Sequence, residues 1–133
     1  MGTQVAIKGN QLSYILASGD VVKTLHKASF ATTGSAVEDD NVTDYKPAAG
    51  RKFIILSVEL VNRHASSSET VTLKKHTVAD SNAGTQILKV GAPYLSRFVH
   101  YVNIEIAATY YINALVVTDA FVDVVIVGVD TAA

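Results

Sequence analysis

Val122-Asp-Val-Val-Ile-Val-Gly-Val-Asp130 is the stretch on which the fold turns. Side chains alternate across a β-strand, so Val122, Val124 and Ile126 share one face and Val125, Val127 and Val129 the other. A strand with one wet face reads apolar, polar, apolar; this one is apolar on both faces. In an antiparallel sandwich only one face meets the internal core. The second face needs cover of its own, either from the middle of the same domain or from a neighbouring subunit. Val125, Val127 and Val129 are the candidate subunit contact. Tyr110 and Tyr111 join them, because an amphipathic ring tolerates half-burial at an interface.

Upstream of this strand the chain keeps the same texture back to Gly50. Phe53 to Val61 alternates, with Ile54, Leu56, Val58 and Leu60 expected on one face and Ser57 and Glu59 on the other, joined by Phe53 and Ile55. Thr70-Val-Thr-Leu73 follows a polar connection and points Val71 and Leu73 inward. Gln86 to Val90 is a short strand ended by Gly91-Ala-Pro93. Val102, Ile104 and Ile106 alternate with Asn103 and Glu105, and Tyr110 to Val117 is the penultimate strand. These short strands, divided by turn residues and free of any amphipathic helix pattern, predict an all-β antiparallel sandwich or barrel.

The first 50 residues read differently. Short candidates at Val5 to Lys8, Leu12 to Leu16 and Val21 to Leu25 are separated by Gly9-Asn10 and Ser18-Gly19-Asp20. Leu12-Ser-Tyr-Ile-Leu16 fits a strand or one helical turn. Thr32 to Gly50 reads as a long loop, a kind of segment that is uncommon in compact domains and often functional. The expected organisation is one domain: an irregular N-terminal arm and loop over 1–50 and a sandwich core over 51–133.

The 133 residues are enough for one domain with a core that needs no staples. Charged residues are 17%, below the usual quarter, so part of the surface is expected to meet something other than water. Net charge is −1, from 11 basic and 12 acidic residues, and offers no field for nucleic acid or an anionic membrane. The chain has no cysteine, which removes disulfides, thiolate chemistry and Cys-type zinc sites. Neither a basic-then-apolar leader nor a run approaching ~20 apolar residues is visible, so a soluble protein used without export is the expectation.

Chemistry-bearing residues are scattered. His26, His64, His76 and His100 show no i, i+2 or i, i+4 pairing that would aim two imidazoles at one metal. A zinc site assembled from distant strands would have to draw on His64, His76 and His100. Glu38, Asp39, Asp40 and Asp44 form an acidic cluster without the Gly and distal Glu of an EF-hand, which reads as a solvated loop. Arg51-Lys52 and Lys74-Lys75-His76 are too short for a nucleic-acid track. There is no Gly-x-Ser-x-Gly and no Gly-rich phosphate loop. No cofactor, no metal and no enzymatic activity are expected.

Gly50-Arg-Lys-Phe-Ile-Ile-Leu-Ser-Val-Glu-Leu-Val-Asn62, the Ala/Ser connection and Thr70-Val-Thr-Leu73 resemble small tailed-bacteriophage virion proteins. Gly91-Ala-Pro93 and the Val-rich strand Val122 to Asp130 extend the resemblance over about residues 46–130. One element departs from it: where such proteins often carry Leu-x-x-Gly-Asp before the penultimate strand, this chain reads Ile106-Ala-Ala-Thr-Tyr110. The resemblance implies a jelly-roll-like sandwich acting as a capsid decoration (cement) protein. Such a protein is made in the host cytoplasm, is often a homotrimer, and sits on the capsid surface against the major capsid protein. It also implies a terminal arm that reaches a neighbour, for which Val5, Ile7, Leu12, Tyr14 and Ile15 are the candidate capsid contacts. Besides a small metal-dependent enzyme on a β-barrel, with His64, His76 and His100 as its ligands, two alternatives stay open. One is a tail, neck or baseplate component. The other is a carbohydrate-binding module using Tyr94, Tyr101, Tyr110 or Tyr111.

Overall fold

The computed structural model describes residues 2–8, 11–117 and 120–133, with side chains described at 2, 14–117 and 120–133. They form strands β1 (Thr3–Lys8), β2 (Gln11–Ile15), β3 (Val21–Phe30), β4 (Ser35–Ala36), β5 (Glu38–Asp39), β6 (Thr43–Asp44), β7 (Arg51–Asn62), β8 (Glu69–His76), β9 (Thr85–Ala92), β10 (Ser96–Ala107), β11 (Tyr111–Val116) and β12 (Val122–Ala132), and no helix. The protein is an all-β sandwich, as the turn spacing predicts. A six-stranded sheet runs β10-β7-β12-β3-β5-β6 and a four-stranded sheet β4-β11-β8-β9, while β1 and β2 form a separate hairpin.

Every pairing is antiparallel. Among β3, β4, β7, β8, β9, β10, β11 and β12 the pairing is nested. The first strand pairs with the last, β4 with β11, β7 with β10, and β8 with β9. Within this set of eight the chain crosses between sheets at every connection except β8 to β9, which is a hairpin within one sheet; β5 and β6 add a second hairpin at the edge of the six-stranded sheet.

The core lies between the sheets. Leu25 and Phe30 of β3, Val122, Val124 and Ile126 of β12, and Val58 and Leu60 of β7 face Val71 and Leu73 of β8 and Ile112, Ala114 and Val116 of β11. Val71 and Leu73 are inward, as the Thr-Val-Thr-Leu pattern predicts. Burying one such side chain contributes about 1.5–3 kcal/mol, so this apolar layer, not any single bond, holds the fold.

Strand β7 departs from simple alternation. Val58 and Leu60 are inward, but so are Phe53 and Ile55, while Ile54 lies on the other side. The cause is a β-bulge: Val127 pairs with Ser57 and Gly128 with Ile55, which leaves Leu56 as the extra residue. A bulge inserts one residue on one strand and exchanges the faces of everything beyond it. The expected row Ile54, Leu56, Val58, Leu60 is thus broken in the middle.

The division at Gly50 is not a structural boundary. Strand β3 lies inside the six-stranded sheet between β12 and β5, and its Leu25 and Phe30 are fully buried. The segment outside the sandwich sheets is the β1–β2 hairpin, not the first 50 residues. Leu12 to Ile15 is strand, which settles the strand-or-turn question for that segment. The long loop of 32–50 holds β4, β5 and β6, and buried Tyr45 pins it to the core, its ring 5.1 Å from that of Phe53.

Candidate functional site

The register across the six-stranded sheet defines its outer face in rows. Tyr101 stands beside Ser57, then Val127, then Thr24; Val99 stands beside Glu59, Val125 and His26; Arg97 stands beside Val61 and Asp123. Val125, Val127 and Val61 are half-buried, and Val99 and Tyr101 are each 40% exposed. The result is an apolar band across β10, β7 and β12. Glu59 and Ser57 stand inside it, between Val99 and Val125 and between Tyr101 and Val127; Arg97 lies 3.7 Å from Glu59, and at the border Arg63 lies 3.2 Å from Asp123.

Of the candidate contact residues, Val125 and Val127 lie in this band. Val129 does not offer a contact: it is 1% exposed within a single chain, beside buried Ile54 and Thr131. That end of the face is closed by the turn before β3. There the Thr131 hydroxyl donates to Asp20 Oδ1, the Ala17 N–H donates to Asp20 Oδ2 at 2.9 Å, and Arg51 donates to the Gly19 carbonyl. Tyr110 and Tyr111 belong to the other sheet and do not join the valines. Tyr110 packs on the core with Lys75 Nζ over its ring, and Lys46 Nζ lies over Tyr111.

The arm candidates fall mostly outside the described side chains. Those of Val5, Ile7 and Leu12 are not among them. The Tyr14 hydroxyl accepts the Gly2 N–H at 2.9 Å, and Ile15 is 61% exposed.

The acidic cluster folds as the β5–β6 hairpin along the edge of β3. There its charges meet lysines: Asp39 pairs with Lys23 at 2.8 Å, and Glu38 with Lys27. Burial, then the nearby Asp80 and Glu38 carboxylates, raise the Asp44 carboxyl above its usual range. A cleft of about 400 Å³ opens between this hairpin, Tyr45, Lys46 and Asp130. Its one phenol is spent on structure. Tyr45 donates to Asp130 Oδ2 at 2.6 Å, and burial followed by that bond pushes its ionisation far above the usual value. Asp130 is completed by Arg51 Nε, also at 2.6 Å.

The histidines stay on separate elements. His64 Nδ1 accepts the Ser66 and Ser67 N–H groups, and His76 Nδ1 accepts that of Val78. His100 stacks edge-on against Phe98. Among the described residues no group of three or more His, Asp or Glu side chains is placed to hold a metal ion. The two basic clusters do converge: Arg51, Lys52 and Lys75 line one cleft of about 520 Å³. Lys52 is already paired with Glu105 at 2.5 Å and Arg51 with Asp130. The four candidate sugar-stacking tyrosines form no platform, since Tyr94 sits in the β9–β10 connection, Tyr101 on the outer face of β10, and Tyr110 and Tyr111 at the other sheet.

Val99 and Val61 are the residues of the band that sequence reasoning missed; it singles out Tyr101 among the tyrosines without joining it to the valines. Alternation in β10 shows that Val99 and Tyr101 share a face, but not that β7 and β12 extend that face with valines. The asparagine that ends β7 has a clear role. Buried Asn62 donates to the Ser67 and Ala92 carbonyls and accepts the His64 N–H, tying the small-residue turn to the end of β9.

A scan against protein-family models finds no match, and no curated protein matches the chain.

Proposed function

We propose that this chain is a structural protein that attaches to a protein lattice through the outer face of its six-stranded sheet, as a capsid decoration protein does. The observation that carries the reading is the apolar band of Val61, Val99, Tyr101, Val125 and Val127 on a face that the four-stranded sheet does not cover. Exposed apolar side chains grouped with a few polar and charged ones are usual at a protein-binding surface.

The strand order supports the virion side of the reading. Nested pairing of first with last, second with seventh, third with sixth and fourth with fifth is what a jelly roll would have, and it supports that finer reading of the sandwich. Viral capsid domains, lectins and cupins share that architecture. The dispersal of the four tyrosines speaks against the lectin reading, and the separation of the histidines against a cupin-type metal enzyme. The partner is then the major shell protein, and the site of action the virion surface. A ligand that binds only the assembled lattice stabilises it by mass action.

The test is co-sedimentation of the purified protein with cognate shells that lack it, together with the temperature at which those shells rupture. The expected result is binding and a raised rupture temperature. Val127→Asp should weaken binding at least about tenfold, because its carboxylate would be desolvated at the contact. Shells that neither bind the wild-type protein nor gain heat resistance from it would overturn the reading.

A further inference from the structure

We infer that the free edge of β10 is a self-pairing surface on which a second copy of this chain adds antiparallel to form a two-fold dimer. This goes beyond the shell-binding reading and stands without it, since it rests on a sheet edge and not on the outer face.

Strand β10 ends the six-stranded order, with β7 on one side and no strand on the other among the described residues. It is 12 residues long, Ser-Arg-Phe-Val-His-Tyr-Val-Asn-Ile-Glu-Ile-Ala, and contains no Pro, Gly or Lys. A long edge presents unpaired N–H and C=O groups, and proteins that stay monomeric blunt it with prolines, lysines, short strands or a covering loop. Here the edge carries charged Arg97 and Glu105 and a register shift against β7 between Tyr101 and Ile104, and the strand stays unbroken from Ser96 to Ala107.

The occupant follows from the side chains. In an antiparallel pair of identical strands centred on Tyr101, each residue meets the one equally far on the other side of the centre. Tyr101 then meets Tyr101 of the partner subunit. Arg97, four residues before the centre, meets Glu105 of the partner subunit, four residues after it. The two-fold axis makes that ion pair twice. On the core-facing side, Phe98 meets the partner's Ile104, and His100 meets the partner's Val102. Aromatic, apolar and opposite-charge pairs directly across an antiparallel ladder are the favourable kinds. A two-fold interface demands this self-complementarity. Arg97 and Glu105 have the exposure to take part: their side chains are 70% and 57% accessible in the single chain. On the outer face Tyr101, 40% exposed, would carry the apolar band across the axis, while Val99 meets Asn103 of the partner subunit.

The test is sedimentation equilibrium over a dilution series for the wild type, Arg97→Glu, Glu105→Arg and the double reversal. Circular dichroism would verify that each variant folds. The expected wild-type species is a dimer. Each single reversal sets like charges opposite at two places and should raise the dissociation constant about tenfold or more. The double reversal restores opposite charges and should return it to near the wild-type value. Within one chain the double variant keeps both altered contacts, with Glu59 and with Lys52, so rescue reports pairing between chains and not repair of the monomer. A wild-type monomer at every concentration would overturn the proposal. So would a trimer, the state that the resemblance implies, or a dimer whose affinity the reversals leave unchanged.

Discussion

Strands β7 and β12 lie side by side inside the six-stranded sheet, and only one of them follows the pattern its sequence displays. In β12, Val122, Val124 and Ile126 are inward and Val125 and Val127 outward, as alternation requires. In β7 the same rule holds from Asn62 back to Val58 and then fails at Leu56, beyond which Phe53 and Ile55 take the inner face. The difference lies in what each strand must accommodate. Gly128 of β12 sits where a Cβ would fall 2.4 Å from both the Phe53 ring and the Ile54 carbonyl oxygen, well inside van der Waals contact. The bulge turns Phe53 inward, and the missing side chain on β12 makes room for its ring. Apolar periodicity marks a strand; the absence of a side chain on its neighbour marks where the periodicity can break.

The largest expected effect lies on this contact. Phe53→Ala removes a fully buried ring that packs over Gly128 and against Tyr45, and should cost about 3–5 kcal/mol in urea or thermal unfolding. A loss below 1 kcal/mol would mean that the bulged end of β7 is not part of the cooperative core.

Gly128→Ala approaches the same contact from β12 and should cost about 1–3 kcal/mol by overpacking. The sharper form is a double-mutant cycle. With Phe53 already alanine, the cost of Gly128→Ala should fall, though the approach to the Ile54 carbonyl remains. Strict additivity would show that ring and glycine are not coupled.

Beyond the bulge, Asp130 of β12 and Arg51 of β7 hold the long 32–50 segment through Tyr45. Tyr45→Phe keeps the ring and removes a hydrogen bond to a charged acceptor, for a cost of about 1.5–3 kcal/mol. Because Arg51 still pairs with Asp130, the lower end of that range is expected. An unchanged unfolding midpoint would separate the loop from the sheet energetically.

These cases show where the sequence was legible. The faces of β12, the inward Val71 and Leu73 and the inward Val102, Ile104 and Ile106 follow from period-two alternation, because each strand has one face on the core. The place of β3 does not. Its inner row carries Lys23 and Lys27, whose partners are Asp39 and Glu38 and not apolar side chains, so its pattern reads as irregular. Its neighbour β12 lies some hundred residues away in sequence, and local pattern carries no information about pairing at that range. The candidate surface was half legible for the same reason. Val125 and Val127 come from one strand, but Val61, Val99 and Tyr101 join them only through register. Val129 reads as their equal until the Asp20 turn places its end of the face inside the chain.

The smallest effect tests that turn. Asp20 accepts the Thr131 hydroxyl and the Ala17 N–H, and these two bonds, in that order, lower its carboxyl below the ordinary value. A group whose ionisation is depressed on folding stabilises the fold when the pH is above its unfolded value, near 4, and loses that contribution as the pH falls through the folded value. Asp20→Asn should therefore be less stable than wild type at neutral pH, and the gap should close in acid. Urea unfolding of both proteins at pH 7 and again well below pH 4 reads the difference directly. A gap that stays constant with pH would mean that the turn is held by the geometry of its hydrogen bonds and not by the charge of Asp20. Val129 and Thr131 would then owe their burial to the backbone of 17–20 alone.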